Sequence, residues 1–202
     1  MKGVLFDFDG TLTQPGAIDF LAIKEEIGCP HDLAILEYIK LQTPEDRVVL
    51  TGILEGHEAE AARLSIPNQG AEACLSTLRG RGIPIGIITR NSLKSVVSAL
   101  RQFDGIESDD FDVVIAREAA LPKPSPEGVF KAADRMGCFS EELMVVGDFR
   151  FDVIAGKRAG ATTVLLTNGR KSSMVPGDPK PDYVCRDLNE VVEIVLYTVT
   201  SL

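Results

Sequence analysis

Two textures alternate along most of this chain, and that alternation limits its fold more than any other feature. Short runs rich in β-branched residues, each closed by a turn, occur at 3–8, 83–89, 112–116, 143–147, 162–166 and, more weakly, 182–184. Their apolar character is nearly continuous, as in strands covered on both faces of a parallel sheet. Pro84 is admissible because it falls near the first residue of its strand. Between the runs lie amphipathic stretches. Segment 70–81 carries Ala71, Cys74, Leu75 and Leu78 at helical spacing and ends on Arg79 and Arg81, which suit the negative end of a helix. Segment 92–103 repeats the pattern with Leu93, Val96, Val97 and Leu100. Ser125 before Pro126 predicts an N-cap with proline at the first helical position, and Asp187 with Glu190 predicts a capping box ahead of Val191, Val192, Val195 and Leu196. The order strand, helix, strand, helix predicts an α/β fold, a Rossmann-like parallel sheet with helices on both faces.

Segment 14–69 breaks the alternation with helical periodicity alone. Ile18, Leu21 and Ala22 mark one face of a short helix stopped by Gly28 and Pro30. Asp32 caps a second, with Leu33, Leu36 and Ile39 inward and Lys40 outward. Thr43 and Pro44 open a third stretch, weakened by Gly52 and Gly56 before 58–64. The expectation is a core formed by 1–13 and 70–202, with 14–69 inserted after the first strand as a small helical cap.

Composition narrows the function. Thirty acidic residues against 21 basic give a net charge of −9, which disfavours nucleic acid as a partner. No run reaches the roughly 18 apolar residues of a membrane span, so no membrane partner is expected. The four cysteines, Cys29, Cys74, Cys138 and Cys185, form no CxxC pair and read as buried free thiols, not as a zinc site or a disulfide framework. The opening MKGVLFDFDG has too few apolar residues for a secretory signal, so a cytoplasmic location is expected.

The chemistry gathers at strand ends, the edge of an open α/β sheet where ligands bind. The first strand runs into DFDGTLT. Asp7 and Asp9 leave on one side, Phe8 turns away, and Gly10 lets the backbone approach a ligand. Two carboxylates this close form an acid/base pair, a magnesium site, or only a capped turn. The second strand ends at Thr89, followed by Arg90, Asn91 and Ser92 at a helix start, an anion cradle or merely a helix cap. The third leads to Lys123, held between Pro122 and Pro124. The fourth ends at Asp148, with Asp152 four residues on; carboxylates suit a hard ion such as Mg²⁺ and equally suit helix capping.

Taken together, an acidic pair, a hydroxyl, a lysine and a second acidic pair follow in order on four strand ends. This set resembles the four motifs of the haloacid dehalogenase superfamily, and an insertion after the first motif resembles its phosphoglycolate phosphatase-like branch. The resemblance implies an Mg²⁺-dependent phosphatase acting on a small phosphorylated metabolite. It implies Asp7 as nucleophile and Asp9 as general acid and base. Thr89, Arg90, Asn91 and Lys123 would be placed around the phosphate. The metal would fall to Asp7, Asp9 (through its carbonyl) and Asp148, with Asp152 behind them. A sugar-phosphate mutase shares the nucleophile and acid, and a phosphorylation-dependent signalling or binding module uses a similar set of groups. Lys24, Lys40, Arg47, His57 and Arg63 are possible substrate contacts from the cap. His31 reads as a loop residue, and Phe149 and Phe151 as packing against the core or against the cap. The oligomeric state is not encoded in any motif.

Overall fold

The computed structural model describes residues 1–200. Six parallel strands form one sheet: β1 (Gly3–Phe6), β2 (Ile85–Ile88), β3 (Val113–Ile115), β4 (Leu143–Gly147), β5 (Thr162–Leu166) and β6 (Tyr183–Cys185), in the order β3-β2-β1-β4-β5-β6. The chain order reverses about β1, so the carboxyl ends of β1, β2 and β4 meet at the switch point of the sheet. Register is uniform: Val4 pairs with Ile85 on one side and with Met144 on the other.

The strands are apolar because helices cover both faces. Eight helices are described: α1 (Phe20–Ile27), α2 (Ile35–Lys40), α3 (Pro44–Arg63), α4 (Ala71–Gly80), α5 (Leu93–Leu100), α6 (Glu127–Arg135), α7 (Arg150–Arg158) and α8 (Leu188–Thr200). Val4, Phe6, Ile85, Ile87 and Val146 face a core shared with α4, α5 and α8. Leu5, Ile88, Ile115 and Val145 face the other core, with Val129, Ala132 and Ala133 of α6, while α7 packs on β4 and β5. Successive residues of β1 thus enter opposite cores, the two-residue period of a strand.

Helices α1–α3 enclose a third, smaller core containing Ile23, Ile27, Ile35, Ile39, Leu54 and Ala61. α3 packs against α5. A buried ion pair crosses the same contact: Arg117, just after β3, donates to Glu58 of α3 at 2.5 Å, and Glu58 is 3% exposed.

Several local expectations are corrected. The strand ends are trimmed, so Asp7 and Thr89 stand just beyond β1 and β2. Residues Phe8–Leu12 form a kinked turn in which Asp9 is extended and Gly10 takes φ 77°. In α1 the inward residues are Ile23 and Ile27, while Leu21 is 61% exposed, because the helix starts at Phe20 with Asp19 as its N-cap. The cap of α2 is Ala34 and not Asp32, and its buried pair is Ile35 and Ile39. α3 runs unbroken through Gly52 and Gly56, both exposed, so their propensity cost is outweighed by packing on the opposite face. α6 begins after Pro126, with Ser125 Oγ accepting from Glu127 N at 3.3 Å. Asp187 caps α8, but Glu190 reaches back to Arg186 N, not to Asp187 N. Phe149 and Phe151 are not core: Phe149 is 45% exposed and both line a cleft. Three cysteines are buried, and Cys138 is half-buried. No helix among the described residues is long and apolar enough to cross a membrane.

Two stability measurements check this packing. Ile23→Ala should cost about 3 kcal/mol of unfolding free energy, since it leaves a cavity in the small core, whereas Leu21→Ala should change it by less than about 0.5 kcal/mol. Denaturant titration that ranks them the other way would contradict the register of α1. Arg117→Ala should cost about 3 kcal/mol by leaving Glu58 buried and unpaired; a loss well below that would show the pair to be incidental.

Candidate active site

The loops after β1, β2, β3 and β4 send polar side chains to one place because these strands are parallel and in register. Asp7 follows β1, its amide donating to the Val146 carbonyl at 2.8 Å and so tying it to β4. Lys123 arrives from the loop after β3. It is 3% exposed, and its ammonium donates to Asp7 Oδ1 at 2.5 Å, to Asp152 Oδ1 at 2.6 Å and to the Ile88 carbonyl at 2.8 Å. Burial alone would depress the Lys123 pKa, but the charges of Asp152 and Asp7 and the hydrogen bonds to both hold it above its ordinary value.

The acids outnumber this one cation. Burial first, then the charges of Asp7 and Glu58, push Asp9 up to about 8. Burial, with Asp7 and Asp152 beside it, lifts Asp148 to about 8. Asp152 is raised to about 6 by burial, against the pull of Lys123. It sits in the first turn of α7 and accepts from the Phe149 amide at 3.1 Å, a placement favoured by the helix dipole. One oxygen from each of Asp7, Asp148 and Asp152 lies within 4.8 Å of the others.

Two glycines make this crowding possible. A Cβ on Gly10 would stand 2.3 Å from Asp148 Oδ2, and one on Gly147 would stand 2.2 Å from Asp152 Cγ. Gly10 is therefore demanded by a neighbouring acid as well as by its positive φ. Asparagines fasten the turn: Asn168 donates to the Gly10 carbonyl at 2.7 Å, and Asn68 to the Thr11 carbonyl at 2.8 Å.

Thr89 is buried, and its hydroxyl oxygen accepts from the Asn91 amide at 3.1 Å, which leaves its proton available to another acceptor. Ser92 caps α5. Arg90 turns to the helical insertion: its guanidinium meets Glu37 of α2 at 2.6 and 3.0 Å, donates to the Lys123 carbonyl, and lies over the Phe151 ring. All eight sequence-derived residues, Asp7, Asp9, Thr89, Arg90, Asn91, Lys123, Asp148 and Asp152, line one cleft of about 530 Å³ between the sheet edge and α1–α3.

Of the five basic residues considered on the insertion, Lys24 alone lines the cleft, donating to the His31 carbonyl at 2.7 Å. His31 is also at the cleft wall. Lys40 is exposed, Arg47 donates to the Gln42 carbonyl, His57 pairs with Glu26 and Arg63 with Glu60. The sequence reading passed over Glu37, Glu58, Phe20 and Leu54, because no spacing rule links them to the strand ends. Only the interruption of α/β alternation at 14–69 marked their segment.

A family model described as haloacid dehalogenase-like hydrolase matches residues 1–160. The Saccharomyces cerevisiae protein named uncharacterized hydrolase YOR131C is 30% identical, covering 96% of this chain and 91% of its own. Pyrophosphatase PpaX of Halalkalibacterium halodurans is 29% identical, covering 95% of each chain. A solved structure from Haemophilus somnus, described as a predicted phosphoglycolate phosphatase, superposes with TM-score 0.74 at 20% identity, covering 96% of this chain and 98% of that one. With its ordered strand-end motifs and the matched family model, the chain belongs to the haloacid dehalogenase-like hydrolases.

Proposed function

We propose that the protein is an Mg²⁺-dependent phosphatase that hydrolyses a small phosphate monoester through an aspartyl phosphate on Asp7. The observation that carries this reading is the buried Lys123 ammonium, fixed between Asp7 and Asp152 at the floor of the cleft. Such a clamp holds one oxygen of Asp7 and leaves the carboxylate aimed by its β1 backbone. Membership of the family supports phosphoryl chemistry.

The residues present fit a hard divalent cation. Three carboxylate oxygens converge within 4.8 Å, a single lysine opposes them, and the space beside Asp148 is one that a Cβ on residue 10 would fill. Asp7, Asp148 and the backbone carbonyl of Asp9 would hold Mg²⁺, with Asp152 steadying Lys123 and the ligand Asp148. When bound, the ion supplies positive charge to the phosphoryl oxygens.

The chain's own groups perform the rest. An Asp7 carboxylate oxygen attacks phosphorus and the bond to the ester oxygen breaks. Asp9, whose burial favours its protonated form, gives its proton to that leaving oxygen. Thr89 and Asn91 donate to the phosphoryl oxygens and hold them in line, and the Lys123 charge beside Asp7 offsets the negative charge gathered there. Asp9, now a carboxylate, takes a proton from water as the water oxygen attacks phosphorus; phosphate leaves and Asp7 is restored. A covalent carboxylate intermediate divides one slow hydrolysis into two easier displacements. Helices α1–α3 stand over the cleft and reduce the access of bulk water.

Asp7→Asn should lower kcat by at least about a thousandfold while the protein still folds, as read by circular dichroism, since the nucleophile is lost with little change of shape. Phosphate release at wild-type rates from this variant would overturn the assignment. EDTA should abolish turnover and added Mg²⁺ restore it; activity that survives exhaustive chelation would refute the metal requirement.

A further inference from the structure

The cleft has two chemically distinct parts. Its floor holds the acids and Lys123. Its walls are apolar, formed by Phe20 at the start of α1, Leu33 and Leu36 near α2, Leu54 of α3, and Phe149 and Phe151 at the start of α7. Phe20 and Phe149 are large rings left 53% and 45% exposed. The Phe151 ring is already covered by the Arg90 and Arg150 guanidiniums, 5.1 and 5.7 Å from its centroid, and it meets Phe149 edge-on at 5.0 Å. Phe149 and Phe20 thus retain open apolar surface on the two sides of the cleft, one from the sheet edge and one from the insertion.

Three of the four lysine and arginine charges of the lining are already matched. Arg90 is held bidentately by Glu37, Arg150 by Asp178, and Lys123 by Asp7 and Asp152. Lys24 is the one remaining lysine or arginine of the lining; it donates to the neutral His31 carbonyl at 2.7 Å, so its charge stays available at the outer wall. Asp9, Asp32, Glu58 and Asp148 add further acidic groups. Away from Lys24, a second anionic group on the substrate would have to displace Glu37 or Asp178 from its arginine, or lie among carboxylates. Either arrangement carries a desolvation and repulsion cost that an uncharged group avoids.

We infer that the substrate is a phosphate monoester whose leaving alcohol is uncharged and largely apolar, its alkyl or aryl body lying between Phe20 and Phe149. This rests on the phosphatase reading and narrows it: the relatives named for pyrophosphate and phosphoglycolate act on small, highly charged compounds, which these walls disfavour. The pre-paired arginines act as a filter against such substrates. The apolar walls supply affinity in proportion to the surface they cover.

The test is steady-state kinetics with Mg²⁺ on ethyl, butyl, hexyl and benzyl phosphate, whose alcohols differ chiefly in apolar area, beside 2-phosphoglycolate as a small ester with a second charge. The value of kcat/KM should rise at least about tenfold from ethyl to hexyl phosphate, the scale of hydrophobic pocket discrimination, and 2-phosphoglycolate should fall below ethyl phosphate. In Phe20→Ala and in Phe149→Ala most of that rise should disappear through a larger KM for hexyl and benzyl phosphate. Phe20 is half exposed, so its truncation leaves the fold intact. A flat alkyl series, or preference for 2-phosphoglycolate, would overturn the inference while leaving the phosphatase reading standing. Release from no ester at all would remove that reading and the inference with it.

Discussion

One buried ammonium organises this molecule. Lys123 lies at 3% exposure and reaches Asp7, Asp152 and the Ile88 carbonyl at once. Taking a charge out of water costs several kcal/mol, and removing one partner of such a set leaves another charge stranded. The lysine, carried on the loop after β3, is tolerable only because the turn after β1, the end of β2 and the turn after β4 deliver acceptors to it. Those segments meet because β1 lies between β2 and β4 in a parallel sheet. Fold and site are therefore one constraint seen at two scales.

The same cluster carries more negative charge than Lys123 neutralises. Asp9 and Asp148 are both pushed up to about 8, chiefly by burial and then by neighbouring carboxylates. A group whose burial favours its protonated form suits a proton donor, and a converging set of carboxylates suits a hard cation. Asp9 and Asp148 differ in what they face, which is why the proposed roles of proton donor and metal ligand are assigned to them separately. Asp9 opens to the cleft and to Glu58 on the insertion, whereas Asp148 stands against Gly10, Asp7 and Asp152.

Local sequence made part of this legible. The strands were readable within two residues because a buried parallel strand needs an unbroken apolar run, and the site acids because each follows such a run directly. What sequence could not carry was long-range pairing. Arg90 and Glu37 are 53 positions apart, and Arg117 and Glu58 are 59. Leu21 and Ile23 both fit a short amphipathic helix, and the starting point set by Asp19 decides which is buried. Phe149 and Phe151 read as packed against the core or the cap because exposed aromatic rings are uncommon, yet a cleft floored with carboxylates needs some other surface to grip its ligand.

The covalent step on Asp7 is the centre of the account. Acid quenching of the Mg²⁺-loaded enzyme during turnover, followed by peptide mass mapping, tests it most directly. The account predicts a phosphoryl adduct on the peptide containing Asp7, absent in Asp7→Asn. Turnover with no adduct there, or an adduct placed on Asp9 or Asp148, would contradict it.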